Sequence, residues 1–229
     1  MGGREMTGVA GGNPEHALAL SYAPQGGAAA LEALFALDEA LAQLLRTTRE
    51  PALGQLRLAW WREALAKLDS EPAPAEPVLQ ALVREVLPKG VRGASLVPIV
   101  HGWEVLIEEE TLDRGALRRF GEGRGELFVV AGAAMGAAPG DPLAASGQGW
   151  ALVDLARHLR APDEAAEARD LAAPLLEDAV SKRWSRNGRA LGALAHLARL
   201  DLRVPHGGEP PIGAPHRVGR LLWHRLTGR

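Results

Sequence analysis

Cysteine is absent from the chain. Disulfides, thiolate nucleophiles and thiolate metal sites are therefore excluded, and redox chemistry says nothing about compartment. Aromatics are scarce, at 4% of a chain that is 47% hydrophobic, so its core has to be built mainly from Leu, Ala and Val. Ala and Leu are strong helix formers. Sustained period-two alternation is missing as well, and the expected class is all-α. Uncharged runs are short: Leu127 to Gly140 falls well below the about 20 residues that span a bilayer. Met1 to Ala17 lacks a long apolar segment, so a secretory signal is not expected. Charge of one sign is also lacking. A net charge of −2 argues against a general nucleic-acid binder. A cytoplasmic protein, at most peripheral at the inner membrane, is expected.

What is present is helical punctuation. At 229 residues the chain suits one large domain or two small ones. No internal repeat or clean boundary appears, so a flexible Gly-rich start over 1–13 and one helical domain over 14–229 are expected. Asn13-Pro14 opens a short helix to about Tyr22, and Pro24-Gln25-Gly26-Gly27 breaks it. Ala28 to Arg46 follows, with Leu34, Leu37, Leu41 and Leu44 on one face. A tight connection leads to a helix begun by Pro51, where a missing N–H costs nothing. Two long helices so joined should pack antiparallel. In the second, Leu58, Trp61, Leu65 and Leu68 form an apolar stripe, which Leu53, Leu56 and Trp60 widen. Trp60 and Trp61 lie about 100° apart, so one can enter the core while the other faces a groove or partner.

Further helices are expected over Val78 to Val86, Ala94 to Glu110, Leu112 to Ala138 and Leu143 to Arg160. A short one runs from Pro162 to Arg169, followed by Pro174 to Trp184, Arg189 to Leu200 and Arg217 to Thr227. Gly121, Gly123 and Gly125 suggest a kink or close helix packing within 112–138.

Several motifs together resemble the squalene/phytoene synthase family. Trp61-Arg62-Glu63-Ala64-Leu65 matches its Trp-Arg-x-x-Leu helix, and Pro77-Val78-Leu79-Gln80-Ala81-Leu82 matches the start of its next helix, with Glu76 where histidine is usual. Arg49-Glu50-Pro51 through Trp60-Trp61-Arg62 is closer to a divergent branch that includes the mitochondrial complex I assembly factor related to phytoene synthases. Gly219 to Leu226 looks like the tail of bacterial members. The resemblance implies an isoprenoid-synthase bundle around a central cavity. In active members, magnesium held by two aspartate motifs neutralises a leaving diphosphate.

Those motifs are degenerate here. The first falls on Ala42, Gln43 and Arg46, with Asp38 and Glu39 about one turn too early. The second aligns on Asp154, Arg157, Arg160 and Ala161, of which only the arginine at Arg160 matches. Glu164 matches one acid of the following pair. Asp163, Glu164 and Glu167 have carboxylate spacing for a cation, but they follow Pro162 at a helix start, where the dipole favours acids anyway. Little prenyl-transferase activity and no resident metal are expected. The implied role is non-catalytic: binding a lipid-like ligand or a protein partner, with respiratory-complex assembly as one version. The surface to test is Arg49, Glu50, Arg57, Trp60, Trp61 and Arg62. The alternative is a magnesium-dependent prenyl-diphosphate transferase with relocated acids, drawn from Asp38, Asp154, Asp163 and Glu164.

Other chemistries have weaker signals. No two of the seven histidines sit at a helical step, so zinc is not expected. Gly147-Gln148-Gly149 follows no strand and does not support a dinucleotide site. Gly-x-Ser-x-Gly is absent. Arg217, Arg220, Arg225 and Arg229, with His216, His224 and Trp223, make a basic end without acids. That end could dock through its apolar side or touch acidic headgroups or an acidic partner.

Overall fold

The computed structural model describes residues 13–229 except Arg49. Expectations for the Gly-rich start and for Arg49 lie outside the described residues, although Asn13, assigned to that start, is the cap of the first helix. Among the described residues the regular elements are all helical, with no strand. They are α1 (Pro14–Leu20), α2 (Ala28–Thr47), α3 (Pro51–Lys67), α4 (Pro77–Glu85), α5 (Val97–Glu108), α6 (Arg114–Met135), α7 (Leu143–His158), α8 (Pro162–Ser181), α9 (Arg189–Asp201) and α10 (Pro215–Thr227). Single 3₁₀ turns lie at Leu87–Lys89 and Gly93–Leu96.

Proline in the first turn begins α1, α3, α4, α5, α8 and α10, because a ring with no N–H loses nothing there. Acids cap the amide ends of α6 and α4. The Asp113 carboxylate accepts from the Ala116 N–H at 2.7 Å, and Glu76 accepts from the Leu79 N–H at 2.8 Å. Glycines at φ 69° and 77° end α6 and α10, a conformation that other residues resist.

Helices α5, α6, α7 and α8 pack side by side in chain order, and α9 lies against α7 and α8. A continuous apolar core runs from Ala19 in α1 to Leu221 in α10. The Gly121–Gly125 run does not break α6, which is unbroken from Arg114 to Met135. It permits backbone contact on both sides. A Cβ on Gly123 would lie 2.6 Å from Gly102 Cα of α5, and one on Gly147 of α7 would lie 2.2 Å from the Gly125 carbonyl oxygen.

Three expectations are corrected. The segments around Pro162 and Pro174 form one helix, with Pro174 inside α8. Ala165, Ala168, Ala172, Leu176 and Ala179 continue a single buried stripe through it, and that burial outweighs the backbone hydrogen bond Pro174 cannot make. Second, α3 packs chiefly on α5 and the Gly93–Leu96 turn rather than on α2. Third, Leu53, Leu56 and Trp60 do not widen the buried stripe: they are 47%, 68% and 44% exposed. Leu58, Trp61, Leu65 and Leu68 are buried as the spacing requires.

Candidate functional site

The bundle's charged centre is Arg124, in the middle of α6. The glycines on either side of it draw α5 and α7 close, so its side chain is enclosed rather than led out to water, and only 5% of the residue is exposed. Its Nε donates to Asp38 Oδ1 at 2.9 Å and its Nη2 to Asp38 Oδ2 at 2.8 Å, a two-pronged bond from α6 to α2. Its Nη1 donates to Asp154 Oδ2 of α7 at 2.6 Å. Trp103 of α5 adds an indole N–H to Asp38 Oδ1 at 2.9 Å. The guanidinium lies over the Trp103 and Trp150 rings, at 4.6 and 4.5 Å from Cζ to ring centroid. Phe120 closes the side at 5.9 Å.

The charges in this site protect one another. Burial by itself would lower the Arg124 pKa, but Asp38 and Asp154 outweigh it and raise it above its ordinary value. Burial likewise pushes the Asp154 carboxyl up, and the Arg124 guanidinium, with smaller help from His158 and His16, pulls it below its ordinary value. Planar guanidinium against carboxylate, set over aromatic faces, is the geometry in which arginine charge is best tolerated indoors.

The relocated acids therefore separate. Asp38 and Asp154 do converge, but on a fixed cation of the chain itself. Asp163 is exposed. Glu164 accepts the Leu112 N–H at 2.8 Å and ties the start of α8 to the loop before α6, and Glu167 pairs with Arg114 beside it. Among the described residues no group of three or more His, Asp or Glu is arranged to hold a metal ion. Of the other second-motif remnants, Arg157 lies 3.6 Å from Asp201 and Arg160 is exposed. At the first motif Ala42 is buried, while Arg46 turns outward to Gln43 and Glu39.

The proposed α3 surface is partly a surface. Trp60 is half exposed and meets Trp61 edge-on at 5.3 Å. Trp61 itself is 7% exposed and belongs to the core, which corrects its place on the binding face. Glu50 is exposed at the start of α3. Arg57 donates to Thr48 Oγ1 at 3.0 Å, and Arg62 lies 3.1 Å from Glu104 of α5. What remains outward is Leu53, Leu56 and Trp60, flanked by Arg57.

The basic C-terminal end is corrected too. Arg217 is buried on Glu15 and Asp201, and His224 is buried with its Nε2 on the Arg189 carbonyl at 3.1 Å. Neither faces outward. Among the described residues no helix is long and apolar enough to cross a membrane.

Sequence reasoning named Asp38 and Asp154 but missed Arg124, which joins them, and the Trp103 and Trp150 rings against it. The available signal was an arginine set between two glycines on the helix face of Leu117, Phe120, Leu127 and Phe128. Compared with family models, curated proteins and solved structures, the chain matches none of them.

Proposed function

We propose that this chain is a non-catalytic relative of the squalene/phytoene synthases that works by binding a protein partner through the outer face of α3. The observation that carries the reading is Arg124. In an isoprenoid-synthase-type bundle, facing helices offer carboxylates to magnesium and diphosphate. Here the two acids that converge, Asp38 and Asp154, spend their charge on a guanidinium. A divalent ion could enter only by displacing Arg124 from the two acids, leaving a buried cation without its partners.

The same filling favours a protein partner over a lipid-like ligand at the centre. Around Arg124 the space is taken by Trp103, Phe120 and Trp150, each 7% exposed or less. By contrast Leu53, Leu56 and Trp60 lie on one outward side of α3, where aromatic and aliphatic anchors commonly carry binding energy. By analogy with the assembly-factor branch, the partner is a respiratory-chain complex under construction at the membrane.

The decisive experiment pairs an assay with a deletion. Purified protein with farnesyl or geranylgeranyl diphosphate and Mg²⁺ should give no condensation product. Deleting the gene should lower complex I activity, restored by the wild type but not by Leu56→Asp. Turnover comparable to a true synthase, or unchanged complex I activity, overturns the reading.

A further inference from the structure

A cleft of about 470 Å³ opens where α8, α9 and α10 meet, far in sequence from the α3 face. It is lined by Arg199, Arg203, Arg220, His196 and His216, with Val180 and Leu200 as its apolar wall. No acid lines it. Glu177 stands at the side, 3.4 Å from Arg199 Nη2, and Glu209 belongs to the adjoining groove beyond Arg203 and His216.

Ordinarily an arginine held against protein has a carboxylate, as Arg124 and Arg217 do here. Arg220 has an imidazole instead: its Nε lies 3.3 Å from His196 Nδ1 and its Nη2 3.1 Å from His196 Nε2. His196 is 3% exposed and packs on His224 at 4.7 Å between ring centroids. Burial first, then the neighbouring His224, Arg220 and Arg199 charges, push His196 down to about 3. It is neutral at pH 7 and offsets none of the positive charge. Burial also lowers the Arg220 pKa, and the Arg199 Nε is buried with no hydrogen-bond partner among the described residues. With only Glu177 beside Arg199 to offset them, the three guanidinium groups repel one another unless something more negative sits among them.

We propose that this cleft binds the phosphoryl group of an anionic ligand. Guanidinium forks match phosphate oxygens two at a time, and three cations suit a group carrying up to two negative charges better than a single carboxylate. Two sources share that chemistry. One is a free phosphate or small phosphate ester; the other is a phospholipid headgroup. The second gains from α10 itself, where Leu222, Trp223 and Leu226 are 46%, 56% and 77% exposed within two turns of Arg220, an arrangement suited to the membrane interface. The site is separate from the α3 surface and stands or falls without it.

The test titrates the full chain at fixed ionic strength in two arms: inorganic phosphate followed by calorimetry, and phosphatidylglycerol vesicles followed by sedimentation, with phosphatidylcholine vesicles as control. Binding in either arm, weakened at least tenfold by Arg220→Gln and by Arg203→Gln but not by Arg119→Gln, supports the site. The arm that binds identifies the source. Arg203 is exposed, so its variant keeps the test valid if Arg220→Gln does not fold. Wild-type protein that binds in neither arm, or binding that Arg203→Gln leaves unchanged, overturns the proposal.

Discussion

Arg217 and Glu15 are 202 residues apart in the chain and joined by two-pronged hydrogen bonds, Nε to Oε2 at 2.9 Å and Nη2 to Oε2 at 2.8 Å, with Nε also 3.0 Å from Oε1. Each is 2% exposed at its side chain. Glu15 also accepts the Gly213 N–H at 2.8 Å, and Arg217 reaches Asp201 at 2.7 Å. The pair clamps α1 onto α10, so the first and last helices stabilise each other.

Removing one half of that clamp leaves a buried charge. Glu15→Gln or Arg217→Met should each cost on the order of 3–5 kcal/mol in urea unfolding. The double variant should cost clearly less than the sum, and a double-mutant cycle measures the difference. Additive losses would mean that the two groups are not coupled.

Arg124→Leu should be at least as damaging as either, on the order of 3–5 kcal/mol, because Asp38 and Asp154 would then face each other without a cation. Trp103→Phe keeps the packing but deletes one hydrogen bond to the Asp38 carboxylate, and should cost about 1.5–3 kcal/mol. Thermal or urea unfolding of the two variants checks the order.

Acid should destabilise the α9–α10 contact before it reaches the carboxylates. Burial holds His196 down to about 3 and His224 down to about 4, both below the ordinary 6.5. Between pH 6.5 and those values the unfolded chain binds more protons than the folded one, so stability falls as pH falls. At pH 5 each buried histidine should cost on the order of 2 kcal/mol. His196→Asn should flatten the fall between pH 7.5 and 5, measured by urea unfolding. An unchanged slope in that variant would exclude His196 as a contributor.

Two glycine-to-alanine substitutions should move stability in opposite directions. In Gly147→Ala the new Cβ would meet the Gly125 carbonyl oxygen at 2.2 Å; α6 and α7 must separate, at a cost of at least about 1–3 kcal/mol. Gly219 lies in α10, and among the described residues nothing comes within 4 Å of an added Cβ. There alanine should stabilise by about 0.5–1 kcal/mol, the ordinary helix-propensity gain. Melting curves of the two variants make the comparison.

Much of the helical plan was readable along the chain. Pro14, Pro51 and Pro77 mark starts, Gly90 and Pro139 to Pro142 mark breaks, and the leucines of α2 mark a buried face. These signals are local: a ring without an N–H, a residue free to take positive φ, a repeat near 3.6. Pro174 misled because its local cost is real but smaller than the burial of the stripe on either side of it. Leu53, Leu56 and Trp60 misled because their spacing gives a face without saying whether another helix covers it.

Composition and periodicity determined that the chain folds into helices, roughly where they begin and end, and that no thiolate chemistry is open to it. Tertiary structure alone decided what the charged residues do. Whether Arg124 clasps Asp38 or Arg217 clasps Glu15, and whether Arg220 finds an acid or only a neutral imidazole, depends on which helices lie within about 3 Å of a guanidinium fork. Hydrogen bonds and Coulomb forces act through space at that range, and the helices concerned are tens to hundreds of residues apart along the backbone.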